Sequence, residues 1–174
     1  MKKKITVMTK MERIAAAIRG DAVDTVPYSL WSHLPLIDLD PVKNAEQTYG
    51  FGKTYDVDIL KTMNNGMYSV EDFGAVADYP EIAGGGAAKI ISTPVHRPKD
   101  WLDLEPVSVN AGALAREQEY LRLLLDKTRG TVPVIFTVFS PLTTAYKLCP
   151  DLMRHVAEGF GEEVKAGLRA ITES

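Results

Sequence analysis

His33 is the histidine best placed to do chemistry in this chain, because it follows the short strand-like run Val26-Pro27-Tyr28-Ser29-Leu30-Trp31 and so stands just past its C-terminal end. Parallel α/β enzymes build their sites at such ends, and an imidazole there can give or take a proton near neutrality. Lys61 comes second. It is an isolated cation at the end of the apolar run Asp58-Ile59-Leu60-Lys61-Thr62-Met63, suited to an anionic substrate or, as the plainer alternative, snorkelling at a strand edge. Tyr146 completes the candidate catalytic set, on a helix that follows the turn Ser140-Pro141 and can aim its hydroxyl at a cleft. Trp31, Tyr68, Asp72 and Ser140 are the candidate substrate-binding residues. Asp72 can accept from a ligand amine or pair with Lys61, and Trp31 has a competing role as a core residue.

The other chemically able side chains lack partners in the sequence. His96 precedes Arg97 in a loop, and His155 beside Arg154 is expected on a helix surface. The single cysteine, Cys149, stands before Pro150 as a helix-boundary residue and becomes a nucleophile only if a base lies near it. One cysteine also excludes an intrachain disulfide and any Cys-x-x-Cys metal site.

Composition narrows the classes further. The 174 residues are 45% apolar and 25% charged, enough for a globular core. A net charge of -3, with no basic run beyond Lys2-Lys3-Lys4, argues against nucleic acid and favours a small-molecule ligand. Apolar runs fall short of the roughly 18 residues of a bilayer helix. Thr6, Thr9, Lys10, Glu12 and Arg13 stand where a signal peptide would have its apolar region, so a cytoplasmic protein without membrane contact is expected.

The elements that would position these residues are legible from caps and periodicity. Residues 1–8 read as an N-terminal extension. Thr9-Lys10-Met11-Glu12 is a capping box, after which Met11, Ile14, Ala15 and Ile18 form an apolar stripe ended by Gly20. Asp40-Pro41 opens a helix through Ala45 and Tyr49 to about Thr54. The run Asp58 to Met63 predicts a strand closed by Asn64-Asn65-Gly66. Gly84-Gly85-Gly86, before the strand-like Lys89 to Pro94, has no Lys-Ser/Thr in phosphate-loop position and reads as a hairpin tip. Leu114, Gln118, Leu121, Leu124 and Leu125 have helical spacing. Pro133 to Phe139 predicts a buried strand. Pro150 then begins a long helix with Leu152, Met153, Val156, Phe160, Val164 and Leu168 on one face.

Alternation of this kind predicts an α/β fold with a parallel sheet. Three major strands suit the first part of a (β/α)8 barrel, which needs eight strands and typically about 250 residues. A small open α/β sandwich is the alternative, and it would leave the central strand and the last helix little to pack against.

Several segments then carry a resemblance. Thr9-Lys10-Met11-Glu12-Arg13 with Ala15-Ala16 and Gly20, Asp24-Thr25-Val26-Pro27, Tyr68 to Gly74, Pro98-Lys99-Asp100-Trp101 and Val134 to Leu148 resemble, as a set, the N-terminal half of the uroporphyrinogen decarboxylase family. The resemblance spans residues 9–174. It implies the N-terminal half of a TIM barrel, incomplete in this chain, with its cleft at the strands' C-terminal ends. The family's members are enzymes. Some remove carboxyl groups from uroporphyrinogen without a cofactor, and others are zinc-dependent methyltransferases that work with corrinoid proteins. A tetrapyrrole or corrinoid ligand is therefore implied, with either a homodimer or the C-terminal half of the barrel as partner, and the chain alone is expected to be inactive.

Departures from the decarboxylase pattern are specific. Where decarboxylases resemble one another in an Arg-x-x-x-Arg loop after strand one, this chain has Leu30-Trp31-Ser32-His33-Leu34-Pro35. Their Phe-Ser-Asp after strand two aligns with Lys61-Thr62-Met63. The family's tyrosine, six residues after the turn proline, falls on Lys147, with Tyr146 one place early. A substrate rich in carboxylates needs fixed cations, so the chain reads as a divergent member carrying Leu-Trp-x-His after strand one. The methyltransferases' zinc ligands resemble a His-x-Cys motif and a later cysteine in the half not present here, so no metal ligands are assigned. A truncated, non-catalytic α/β module is the remaining alternative. A three-stranded sheet exposes long edges, so residues 1–174 alone are expected to self-associate or to be unstable. Size-exclusion chromatography with calorimetry tests this, and a cooperative monomeric transition would contradict the half-barrel reading.

Overall fold

The structure is a computed structural model that describes residues 7–79 and 88–174. The chain forms two compact units, Met1–Asn64 with Glu119–Thr137 and Asn65–Gln118 with Val138–Ser174. Both are mixed α/β. No helix of the described residues is long and apolar enough to cross a membrane.

In the first unit, helix α1 (Lys10–Arg19) starts at the expected capping box and stops at Gly20, which is left-handed at φ 75°. Its buried residue is Ala16, whereas Met11 is exposed and Ile18 is 81% exposed. The expected stripe is thus not the packed face. Packing is replaced by charge: the Arg13 guanidinium donates to Asp24 through Nε (2.7 Å) and Nη2 (2.8 Å), to Asp58 through Nη1 (2.5 Å), and to the Met8 carbonyl. Helix α2 (Pro41–Thr54) begins where Asp40 accepts from the amides of Val42 and Lys43.

The sheet of this unit is shorter than the apolar runs suggest. Strand β1 (Leu60–Lys61) pairs in parallel with β4 (Val134–Ile135), Leu60 opposite Val134 and Lys61 opposite Ile135. Side chains take over the neighbouring ladder positions. The Thr137 amide donates to Thr62 Oγ1 at 3.0 Å, and the Met63 amide to the Tyr120 hydroxyl at 2.9 Å. Residues 26–31 are extended but form no strand. Asp58 NH donates to the Tyr28 carbonyl, the Tyr28 amide donates back to the Asp58 carboxylate, and Ser29 Oγ reaches the Ile59 carbonyl. Ala45, Val57, Leu60, Tyr120 and Leu124 form the core.

Helix α4 (Gly112–Thr128) passes from the second unit into the first at Gln118/Glu119. It buries Ala113, Glu117, Tyr120, Leu124 and Thr128, a face one residue off the expected leucine row, and Leu125 is exposed. The row shifts because the Tyr120 hydroxyl and the Glu117 carboxylate have buried roles that hydrophobicity alone does not score.

The second unit holds helix α3 (Tyr68–Glu71) and an antiparallel pair, β2 (Val76–Asp78) with β3 (Lys89–Ser92). Gly84 to Gly86, the expected hairpin tip, lies outside the described residues. A 3-10 turn, Pro98–Asp103, follows. The expected single last helix is two, α6 (Leu152–Ala157) and α7 (Gly161–Thr172), parted at Gly159, where φ is 98°. Helix α5 (Pro141–Leu148) precedes them, and Trp101, Val164, Leu148 and Leu152 centre the core. Gly167 admits the Trp101 ring, which an added Cβ would strike.

Arg13 and the Met8 amide hold the Asp24 carboxyl well below the usual carboxylate range. With the folded value depressed, its contribution is complete above that range and is lost as pH falls through it. Calorimetry should therefore show the thermal midpoint dropping in acid, with a shallower slope in D24N. At neutral pH, R13M should lower the midpoint far more than R19M, whose pair with Asp21 is exposed, and equal losses would remove the Arg13 cluster from its central place.

Candidate functional site

Three of the expected site residues come together in the first unit. The Trp31 indole is pinned at the C-terminal end of β1 by a bond from its Nε1 to the Thr62 carbonyl at 3.2 Å. Lys61 Nζ lies 4.0 Å from the indole centroid. The His33 ring meets the same indole edge-on, with centroids 4.4 Å apart at 67°. Trp31 is 42% exposed, His33 is exposed and Lys61 half-buried, so the indole stands open to solvent instead of in the core.

Electrostatics give this group one sign. An ammonium over an indole face is held by the ring quadrupole, worth about 0.5–1 kcal/mol when exposed. No carboxylate of the described residues pairs with Lys61, so its charge is available to an incoming anion. His33 adds a donor or acceptor beside it. Among the described residues no three histidine, cysteine, aspartate or glutamate side chains are grouped so as to hold a metal.

Tyr68, Asp72, Ser140 and Tyr146 belong to the second unit. Tyr68 is buried, its ring 5.5 Å from that of Phe139, and burial raises its hydroxyl's pKa. Asp72 has a structural partner in place of Lys61: its oxygens accept from the amides of Ala113 (2.8 Å) and Leu114 (3.0 Å) at the start of α4. Gly112 is required there, since φ is 62° and a Cβ would collide with that carboxylate. Ser140 is the N-cap of α5, accepting from the Thr143 amide at 3.2 Å. Tyr146 is 55% exposed. The next residue, Lys147, turns inward, its Nζ 3.8 Å from the Phe139 ring centroid.

His155 corrects the sequence reading most sharply. It is 1% exposed, and its Nδ1 accepts from Trp101 Nε1 at 3.1 Å, with Cys149 Sγ 3.8 Å away. That bond fixes the proton of a neutral ring on Nε2. An imidazole thus does lie near Cys149, but its Nδ1 lone pair is taken by Trp101, the cysteine is buried, and burial pushes its thiol's pKa up, all of which oppose nucleophilic use. The signal available in sequence was spacing: His155 falls three residues after Leu152, on the face α6 buries.

The sequence matches no family model. It matches no curated protein either. Among solved structures, a methyltransferase from Methanosarcina mazei superposes with a TM-score of 0.73 at 17% identity, over 95% of this chain and 53% of the other. The two share a fold. This chain spans about half the length of that methyltransferase.

The placement of Asp72 generates a direct test. Asp72→Ala should cost about 0.5–2 kcal/mol, the usual range for a lost helix cap, in urea unfolding. Gly112→Ala should cost at least as much. An unchanged midpoint for Asp72→Ala would return that residue to a ligand-binding role.

Proposed function

We propose that this chain is the N-terminal half of a (β/α)8 barrel of the uroporphyrinogen decarboxylase type, and that Trp31, Lys61 and His33 bind one carboxylate of a tetrapyrrole- or corrinoid-type ligand. The observation that carries the reading is the Lys61 ammonium, paired with no carboxylate of the described residues, on the exposed Trp31 face, with His33 beside it, at the C-terminal end of a parallel strand. The ammonium suits a carboxylate on the ligand's rim, to which it can donate a charge-assisted hydrogen bond.

Two features favour methyl-transfer chemistry over decarboxylation. Met63, aligned with the aspartate of the decarboxylases' Phe-Ser-Asp, which in that family accepts from the substrate's pyrrole N–H groups, is 1% exposed and built into the core, where it offers no carboxylate. The fold likeness, moreover, is to a methyltransferase. Zinc, where such transfer uses it, would lower a thiol's pKa; the described residues include no group of three histidine, cysteine, aspartate or glutamate side chains to hold it. The apolar side chains of Val26, Tyr28 and Leu30 stand exposed along residues 26–31. They support a further half-barrel or a second copy as the covering partner, and turnover is assigned to that larger assembly.

Binding tests the proposal without requiring turnover. Titration with coproporphyrin and with dicyanocobyrinic acid, whose rims both carry free carboxylates, followed by ligand absorbance and tryptophan fluorescence, should show saturation. K61M and H33A should each weaken binding roughly tenfold, about 1.4 kcal/mol, while leaving the thermal midpoint unchanged. Wild-type affinity in both variants would refute the assignment, and a fall in stability alone would make both residues structural.

A further inference from the structure

Lys147 sits in a setting quite different from that of the surface lysines. From α5 its Nζ donates to the Gly66 carbonyl at 2.6 Å and lies 3.8 Å from the centroid of the Phe139 ring, whose far neighbour is Tyr68. All four residues belong to the second unit. Lys10, Lys43, Lys127 and Lys165 each have a carboxylate within 4 Å. Among the described residues no carboxylate pairs with Lys147.

A half-buried ammonium without a counter-charge is costly, and a carbonyl dipole and a ring quadrupole offset that cost only in part. Burial accordingly pushes the amine's pKa down. The carbonyl and the ring both favour the charged form, which argues for a binding cation and against a free-amine nucleophile. Of its three N–H donors one serves Gly66 and the ring covers another direction, which leaves capacity for a further acceptor. Tyr68 supplies no negative charge, because its burial keeps the phenol protonated. An oxyanion would complete the site through a charge-assisted hydrogen bond.

We propose that Lys147, seated on the Phe139 ring and anchored by the Gly66 carbonyl, is the cation of an oxyanion-binding site in the second unit that takes the carboxylate or phosphate group of a small organic anion. This site uses none of the residues proposed to hold the tetrapyrrole-type ligand.

The test uses the whole chain with 13C-labelled lysine side chains, the Lys147 Cε–Hε signal being assigned from its loss in K147R. Succinate and inorganic phosphate are added separately. The Lys147 signal should move saturably, at roughly tenfold lower concentration than the signal of exposed Lys165. Calorimetric titration should find the affinity kept within a few-fold in K147R and reduced at least tenfold in K147M. A response to succinate alone, phosphate alone or both identifies the oxyanion and supports the site. Movement of the Lys147 signal no greater than that of Lys165 overturns the proposal. So does unchanged anion binding in K147M. If K147M fails to fold, the wild-type signal and K147R decide the matter. Destabilised K147M with a motionless wild-type signal assigns Lys147 only to tethering Gly66. Coproporphyrin and corrinoid titrations read the first unit separately, so the two proposals fail independently.

Discussion

The first unit depends on one guanidinium. Arg13 carries two carboxylates that are distant in sequence, Asp24 in a bidentate pair and Asp58 through its remaining nitrogen, and these side chains are nearly removed from solvent. A lysine could not take this position, because the task needs several fixed donors in one plane and an ammonium offers a single charged point. Asp58 uses its second oxygen on the Tyr28 amide, while its own amide serves the Tyr28 carbonyl. One cation thus joins α1, the polar loop after it, the extended run 26–31 and the start of β1. Such a cluster contributes specificity more than raw stability, since the desolvation of its charges offsets much of their attraction. What it specifies is register: with Tyr28 locked beside Asp58, Trp31 arrives beside Thr62 and its indole beneath Lys61.

Local signals were readable in the sequence and long-range substitutions were not. Thr9 with Glu12, Asp40-Pro41 and Ser140-Pro141 each cap the helix they announce, because the donors and acceptors involved lie within four residues. The apolar faces were less reliable. Met11 and Ile18 look like core residues, yet α1 is held by Arg13 and leaves them in solvent. Gly159 parts the last helix, and a single glycine inside a periodic row does not reveal whether its φ will turn positive. The strands failed in a third way. Asp58, Thr62 and Tyr120 supply ladder partners from their side chains, so extended apolar runs acquire only two paired residues each.

The same distinction governs the site. Trp31 and Lys61 are far apart in sequence, and nothing between them states that one will cover the other. Lys61 was singled out as a cation at a strand end, where β1 does stop; His33 was singled out by a strand over residues 26–31 that the structure does not form. Asp72 shows the limit of composition: an acidic loop residue looks like a ligand group until the unsatisfied amides of a helix 41 residues later are found on it. Tyr146 and Lys147 show the limit of counting along a helix, since one residue of rotation exchanges an exposed phenol for an inward amine.

Two arginines and two lysines of this chain are held in different ways. Arg13 and Arg116 are neutralised by paired carboxylates, Arg116 by Glu71 and Glu117, so their charge is consumed in holding elements together. Lys61 and Lys147 instead rest on aromatic faces. A quadrupole attracts a cation without cancelling its net charge, so an ammonium held this way keeps its field and still has a defined position. A salt bridge would have fixed the same side chain and removed its usefulness to a ligand. Position without neutralisation is what anion recognition requires, and an aromatic ring beneath each ammonium supplies it.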